Sequence, residues 1–510
     1  MELNKQNRQT MISLATSIIS MATTMLVGFF LSPYIVRTLG EEANGFAQLA
    51  NNFINYASLL TLALNSMAGR FIINSYYKGD YETSLRYYST VITGNIIIIV
   101  LLILPAVYCV YNLETIVQID SAIPHHVKYL FAFVFLNFFV AQIAGLLNIA
   151  TIVKNKQYIQ NAITMVKTVC NGVLLLVVFS LFSPKIYYVS LVGLALTILT
   201  VPAFYQVKRH ILPDITFHPN AFDIKIVGKL LKSGVWNTVN QGGNLLMTGL
   251  DLLISNLFIN PVQMGVLAVA KVIPNSIIQL GVAVNTSFSP NLMIAFTGQE
   301  KADILKSLRF SMKTSSILIS IPIAVLCVYG QSFYQLWVPS MDAKKLAILS
   351  ILTCMAFIPF AGPQVLNNVY TAANKLAVNA LTVLLGGIVN FVIVIVLLKT
   401  TNLGLYAVAG VSSVVSILRN LIITVPYTAR ILSLKWYTFY KDVIISMACC
   451  SLNGVACWAM LKIIIPTSWG AMAASVVCAC VVSLFVDCLL LLNLTERRNI
   501  VDKLKRKLYG

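Results

Sequence analysis

Fourteen long apolar segments, each bounded by polar residues or by Pro and Gly, recur along the chain. A helix needs about 20 mostly apolar residues to cross the hydrocarbon core of a bilayer. The segments lie near residues 11–36, 45–74, 90–111, 128–153, 160–182, 187–206, 233–258, 263–296, 310–335, 346–371, 377–398, 404–428, 442–464 and 470–493. Because 58% of the 510 residues are hydrophobic and 10% are charged, a soluble multidomain enzyme is excluded. The sequence predicts an all-α polytopic membrane protein with about 14 transmembrane helices.

Lys and Arg residues are unevenly distributed between alternate connections. Of the 36, 26 lie on the side of the N-terminus, 7 on the opposite side and 3 within apolar segments. Since short loops rich in Lys and Arg remain in the cytoplasm, we expect both termini to be cytoplasmic. We also expect the first segment, preceded by Lys5 and Arg8, to be a helix that is retained rather than cleaved as a signal peptide. The formal net charge of +19 then reflects orientation and an anionic lipid surface. Nucleic acid is not an expected partner, because no basic and aromatic binding module is visible.

The longest predicted cytoplasmic connection divides the chain into lobes. We predict an N-terminal lobe of six spans (1–209), an inter-lobe connection (210–232) and a C-terminal lobe of six spans (233–430). Two additional spans and a basic cytoplasmic tail form the remainder (431–510).

An ungapped shift of 220 residues indicates an internal repeat. It produces eight identities, among them Gly45 with Gly265 and Asn65 with Asn285. Asn is uncommon inside membranes, so the Asn pairs weigh most. Repeats of this kind relate two halves of a transporter around a central pathway.

Charged residues inside spans are costly and by default indicate a substrate or ion path. Arg70, Lys167, Lys271 and Arg419 are the cationic candidates, and such an electropositive path suits a diphosphate. For each of them anchoring to lipid headgroups is the alternative. Asp251 would either pair with one of these cations, titrate in ion coupling or form a purely structural ion pair.

A second intramembrane acid, Asp487, is interpreted as a packing residue of the last span.

Signals for enzymatic or cofactor chemistry are weak. The ten cysteines lie in or beside apolar segments and act as small buried hydrophobes. His125 and His126 lack the spacing of a zinc helix, and no phosphate-binding loop of the Walker type is present. No cofactor or metal is therefore expected. The energy for transport would come from a proton or sodium gradient, from a partner protein, or from removal of the product by later steps.

Tyrosines also cluster near the ends of the predicted spans. We interpret them as an interfacial aromatic belt rather than as a sugar-stacking surface. They are Tyr76, Tyr77, Tyr87, Tyr88, Tyr187 and Tyr188.

The first two spans contain four motifs, at residues 32–40 (SPYIVRTLG), 45–46 (GF), 50–58 (ANNFINYAS) and 63–71 (ALNSMAGRF). In them the chain resembles bacterial polysaccharide flippases of the Wzx type. These belong to the multidrug/oligosaccharidyl-lipid/polysaccharide (MOP) superfamily, with the multidrug and toxin extruders (MATE) and the lipid II flippases. The resemblance covers the whole chain in topology. Fourteen spans are usual in the lipid II branch and twelve in many Wzx proteins, so the branch stays open.

The resemblance implies two pseudo-symmetric six-helix lobes around a V-shaped central cavity, plus two extra C-terminal helices. It also implies alternating access that turns an undecaprenyl-diphosphate-linked oligosaccharide to the periplasmic leaflet, for O-antigen or capsule synthesis. The cations would meet the diphosphate, with Asn65 and Asn285 added as paired polar residues of the substrate site. Arg70 and Arg37 belong to the matching motifs. Arg37 would serve an outer gate, or else anchor headgroups, and Asp251 would serve ion coupling.

A multidrug or toxin extruder of the same superfamily is the first alternative, although it would favour acidic pathway residues. A membrane glycan polymerase is the second. It would need a large outer loop with catalytic basic residues, whereas the longest outer segments are about 112–127 and 336–345. We expect a non-enzymatic, multi-pass protein of the bacterial inner membrane. Its expected partners are a lipid-linked oligosaccharide, membrane lipids and glycan polymerase or assembly proteins.

Overall fold

The computed structural model describes residues 2–119, 124–298 and 301–491, and within these residues the chain is all-helical. The helices are α1 Glu2–Leu39, α2 Glu41–Tyr77, α3 Tyr81–Tyr111, α4 Leu113–Ile116, α5 Pro124–Val153, α6 Gln157–Leu181, α7 Tyr188–Ile211, α8 Ile224–Asn244, α9 Asp251–Phe258, α10 Pro261–Ala270, α11 Val272–Gly298, α12 Lys301–Trp337, α13 Ala343–Cys354, α14 Phe357–Phe360, α15 Asn367–Ala372, α16 Leu376–Thr400, α17 Leu405–Arg419, α18 Val425–Ile431, α19 Tyr440–Ile463 and α20 Trp469–Leu491. The predicted basic tail after residue 491 lies outside the described residues.

Within the described residues, eleven helices are long and apolar enough to cross a membrane, and the bent pair α10–α11 gives a twelfth span if it counts as one. The two other predicted spans, 233–258 and 346–371, correspond to α8–α9 and α13–α15. Both are interrupted by turns of other helical types, π at Leu245–Gly249 and 3₁₀ at Pro363–Leu366. The chain is therefore an all-α polytopic membrane protein, as predicted. Helices lie at the positions of the predicted spans, and four of these spans are bent or interrupted.

The internal repeat extends over all six spans of the first half. Adding 220 to the bounds of α2 gives 261–297, and the structure has α10–α11 at 261–298. The same shift places α1 on α8–α9, α3 on α12, α5 on α13–α15, α6 on α16 and α7 on α17–α18, with bounds agreeing within six residues. α19 and α20 have no counterpart, which makes them the two extra helices.

The helices group into two compact units, Met1–Val269 and Ala270–Gly510. In the first unit α8 packs along α2. A Cβ on Gly234 would lie 2.1 Å from the Ala63 carbonyl oxygen, so only glycine permits this approach. Gly45 and Gly265, which the repeat relates, also touch through their backbones. The predicted lobes, defined by the order of spans, stay a prediction.

Three of the six belt tyrosines have a different role from the one predicted. Tyr76, Tyr87 and Tyr88 are at most 8% exposed. Tyr76 donates to Asp214 Oδ2 (3.3 Å), and Tyr87 accepts from Lys229 Nζ (2.8 Å). Because the connection 212–223 folds back onto these helix ends, burying Leu212 and Ile215 completely, the belt interpretation is wrong for these three residues.

In the second unit α12 is the central helix, and it packs against α11, α13, α19 and α20. A core cluster joins the end of α11 and the start of α12 to the irregular segment 357–369, α18 and the start of α19. Phe360, Val365 and Phe439 are among its buried residues. The extra helices α19 and α20 thus pack onto this unit: α19 contacts the cluster and α12, and α20 contacts α12 and α19.

The α2–α8 contact gives a stability prediction. Gly234→Ala should destabilise the protein by about 1–3 kcal/mol, because the new methyl group forces the two backbones apart. Gly228→Ala, on the same helix with nothing within 4 Å of its Cβ, should be neutral or stabilising by up to about 1 kcal/mol. Thermal unfolding of the detergent-purified variants tests this, and equal melting temperatures for the two would contradict the close approach.

Candidate functional site

All four breaks in the predicted spans of the second repeat lie next to residues selected from the sequence. Asp251 follows the π turn Leu245–Gly249, and Lys271 lies at the 42° bend between α10 and α11. Arg419 is the last residue before a second π turn, Asn420–Thr424, and Asn285 contacts the break around Pro363. Broken helices free backbone groups for ligands or ions, and π turns are frequent at functional sites.

At the first break the freed carbonyl of Gly249 is bonded by α2. Tyr56 Oη donates to it at 2.7 Å and Asn52 Nδ2 at 3.2 Å. The Asp251 side chain is 3% exposed, just beyond this break. Side chains of α2 therefore hold this break in place, and the buried Asp251 lies directly after it.

At the second break Lys271 is 9% exposed. The freed carbonyl of the preceding residue, Ala270, accepts from Ser350 Oγ (2.7 Å) and Tyr334 Oη (3.3 Å). Both donors are fully buried. This bend is consequently fixed in place by α12 and α13.

The third break, between α13 and α15, is tied to α11. Asn285 Nδ2 donates to the Gln364 carbonyl (3.3 Å), and Asn368 Nδ2 donates to Asn285 Oδ1 (3.0 Å). Gln364 Oε1 is buried and has no hydrogen-bond partner. Asn285 thus uses its side chain to close the break, and the amide oxygen of Gln364 remains without a hydrogen bond.

Arg419, at the fourth break, has neutral hydrogen-bond partners. Its Nη2 donates to Asn420 Oδ1 (2.9 Å), and its buried Nε has no hydrogen-bond partner. The break itself is closed by Tyr440, whose Oη donates to the Leu421 carbonyl at 2.7 Å. The guanidinium keeps donor capacity that the described residues do not use.

Lys167, in the unbroken first repeat, lies in a polar cluster between α5, α6 and α7. Its Nζ donates to Thr197 Oγ1 (2.7 Å), and that hydroxyl donates to Asn137 Oδ1 (2.5 Å). One turn along α6, Asn171 Oδ1 is buried without a partner. No carboxylate pairs with Lys167 in the described part of the chain.

The other predicted site residues of the first repeat divide into two kinds. Arg37 and Arg70 are exposed, at the end of α1 and in the last third of α2. Asn65 forms a double amide bond with the buried Asn95, at 2.9 and 2.7 Å. Asn65 therefore joins α2 to α3, and the arginines have the exposure that contact with a ligand or with headgroups requires.

Sequence reasoning missed the groups that close the breaks: Asn52, Tyr56, Tyr334 and Ser350. Asn52 and Tyr56 are one turn apart on α2, a polar pair inside an apolar span, and this was the available signal. Three cavities within the units have none of the predicted site residues in their walls. One of them, about 600 Å³ between α3 and α5, is mostly apolar with His125 and Lys128 in its wall.

Comparisons with known proteins identify the fold. No protein-family profile matches the chain. "Uncharacterized membrane protein EpsK" of Bacillus subtilis is 26% identical over 509 residues, covering 98% of both chains. The structure titled "Inward-facing conformation of a multidrug resistance MATE family transporter of the MOP superfamily" matches with a TM-score of 0.65 at 12% identity, over 88% of this chain and 98% of that one.

A second structure matches with a TM-score of 0.56 at 12% identity, over 87% of this chain and 96% of that one. Its title is "Reverse polarity of binding pocket suggests different function of a MOP superfamily transporter from Pyrococcus furiosus". At these identities the likeness establishes the fold. The chain therefore has the fold of the MATE transporters of the MOP superfamily, as its resemblance implied, and this is a membrane-transporter fold.

The Lys167 cluster gives a second stability prediction. Thr197→Val should cost about 1.5–3 kcal/mol, because it leaves a half-buried ammonium without its hydrogen bond. Adding Lys167→Met should recover much of that loss, and a double-mutant cycle of unfolding free energies measures the coupling. Thr200→Val, which removes only a bond to a backbone carbonyl, is the control. Additive effects of the two substitutions would show that Thr197 does not support Lys167.

Proposed function

We propose that the protein flips a polyprenyl-diphosphate-linked oligosaccharide, such as an undecaprenyl-linked glycan unit. The movement would run from the cytoplasmic to the periplasmic leaflet of a bacterial inner membrane, by alternating access and without a cofactor. Two features support the proposal: the MATE-type fold, which is a transporter fold, and the excess of cationic over acidic side chains in its spans. The product would serve a surface polysaccharide such as O-antigen or capsule.

The observation that supports this substrate most is the pairing of intramembrane cations with neutral groups. Lys167 bonds to Thr197 and Arg419 to Asn420, and neither forms an ion pair among the described residues. A charge in a low-dielectric interior is strongly destabilised unless an opposite charge compensates it. A transported anion would supply that charge, and a diphosphate fits both a bidentate guanidinium and a point-charge ammonium.

The remaining predicted residues are given roles within this proposal. Arg70 and Lys271 would add to the positive potential that attracts the diphosphate. Asn65 and Asn285 would act as positioning residues, because both are engaged in helix–helix amide bonds. Arg37 would act at an outer gate, and Asp251, supported by the break at Gly249, would act in proton or sodium coupling.

Partners follow from the chemistry of the proposed product. A flipped lipid-linked oligosaccharide needs an enzyme that elongates or transfers it in the outer leaflet, so a glycan polymerase and assembly proteins would follow in the reaction sequence. Membrane lipids would surround the prenyl chain during transfer. On this proposal both termini lie in the cytoplasm.

One observation favours export of a cationic drug as the second candidate. Asp251 is an acid that is 3% exposed in a broken span, and acids in the pathway suit cationic substrates. The two candidates differ in the residue that each requires: Lys167 and Arg419 for a diphosphate, Asp251 for a cation.

Leaflet transfer of a fluorescent polyprenyl-diphosphate oligosaccharide in proteoliposomes tests the proposal. Lys167→Met and Arg419→Met should each lower the transfer rate about 10- to 100-fold, which corresponds to the loss of one charge-assisted contact of about 1.5–3 kcal/mol. Arg70→Ala should abolish transfer if the motif position contacts the diphosphate. Repeating the assay with proton and sodium gradients identifies the coupling ion.

Lys399→Met, at an exposed position at the end of α16, is the matched control and should transfer normally. Wild-type rates in both Lys167→Met and Arg419→Met would contradict the cationic site. If the wild type moves no lipid beside an active control flippase, and instead exports a cationic dye in a manner that Asp251→Asn abolishes, the drug-export function replaces this one.

A further inference from the structure

A second uncompensated charge is buried where the two extra helices meet α12. Asp487 on α20, Asn453 on α19 and Ser320 on α12 are all 0% exposed, as is Ser483, one turn before Asp487. None of them is in the transport site proposed above. The cluster is the only place in the described residues where an acid of the extra helices faces a residue of the repeats through a hydrogen-bond bridge.

The hydrogen bonds of the cluster centre on the amide of Asn453. Its Nδ2 donates to Asp487 Oδ2 at 2.8 Å and to Ser320 Oγ at 2.9 Å, which uses both amide hydrogens. Three buried oxygen atoms remain without a partner: Asp487 Oδ1, Asn453 Oδ1 and Ser483 Oγ. The Cys449 thiol on α19 is the titratable group that faces the Asp487 carboxylate. Because a thiol is a weak donor, the cluster still has more acceptors than strong donors.

No basic side chain forms an ion pair with Asp487 among the described residues. An ionised carboxylate without a counter-charge is strongly destabilised in a membrane interior. Buried polar atoms without hydrogen-bond partners are destabilising as well. A cation bound by the three oxygen atoms without partners would remove both energetic costs.

We propose that Asp487, Asn453, Ser320 and Ser483 form a binding site for one hard monovalent cation, either a proton or a sodium ion. Oxygen atoms of carboxylate, amide and hydroxyl groups are the ligands that hard cations prefer. The ion neutralises the carboxylate and joins α20 and α19 to α12. Binding is therefore expected to stabilise the packing of the two helices that lie outside the repeat. This inference concerns ion binding and does not depend on which substrate is transported.

The test is the melting temperature of the full-length protein in detergent. Sodium chloride is titrated against choline chloride at constant ionic strength, and the pH is varied separately from mildly acidic to mildly alkaline. For a sodium site, the melting temperature of the wild type should rise by about 2–5 °C and saturate with sodium. For a proton site, it should fall as the pH rises, since removing the proton leaves the buried carboxylate charged.

Asp487→Asn keeps the size of the side chain and removes its charge, so it should abolish whichever response the wild type shows. Asp303→Asn, on the same helix as Ser320, is the matched control. Asp303 is exposed near the start of α12 and lies outside the cluster, so this variant should keep the response. Identical sodium and pH responses in wild type and Asp487→Asn would overturn the site.

If Asp487→Asn fails to fold, Ser320→Ala provides the second variant. It leaves the carboxylate in place and removes one oxygen next to Asn453, so a higher sodium concentration or a lower pH should be needed for half-maximal stabilisation. Infrared absorption of the protonated carboxyl group distinguishes the two ions, because a proton gives this band and sodium removes it. An unchanged midpoint in Ser320→Ala would contradict the site.

Discussion

The structure depends on one constraint: every backbone N–H and C=O inside a bilayer must be hydrogen-bonded within the protein. A continuous helix satisfies this by itself, whereas a broken helix needs donors from elsewhere. At Gly249 the donors are Asn52 and Tyr56, and at Ala270 they are Tyr334 and Ser350. These side chains come from neighbouring helices, so each break ties several elements together, and a break exists only where such partners are present.

The breaks are unequally distributed between the repeats. In the described residues, the first-repeat counterparts of the four broken spans are continuous helices, α1, α2, α5 and α7. Two segments with the same topology have thus diverged: one retains uninterrupted helices, and the other places polar side chains at freed backbone groups. Asp251, Lys271 and Arg419 lie at these points, where bonded carbonyls and nearby amides lower the cost of a buried charge. The second repeat is consequently the half better suited to hold charged groups.

Much of the fold was predictable, because span length and the 220-residue shift are properties of local sequence. Lys167, Lys271 and Arg419 were selected for the same reason, since a charge in an apolar segment is conspicuous without any knowledge of contacts. The closure of Gly249 by Tyr56 was not predictable, because the two residues are 193 positions apart. The burial of Tyr76 and Tyr87 likewise depends on the connection folding back onto them. For Asp487 the sequence predicted only a packing role, because its hydrogen bond to Asn453 on another helix is not visible in the sequence.

The signs of the uncompensated charges indicate what the protein would bind. Lys167 and Arg419 are cations with neutral partners, while Asp487 is an acid with neutral partners. If these groups were only structural, pairing an acid with a cation would have cost less than leaving each beside amides and hydroxyls. The two proposals account for this absence of ion pairs: a transported anion would compensate the cations, and a small bound cation would compensate the acid. A carrier with two separate binding sites, one for an anion and one for a cation, meets the first requirement for coupling the transport of one ligand to the binding of the other.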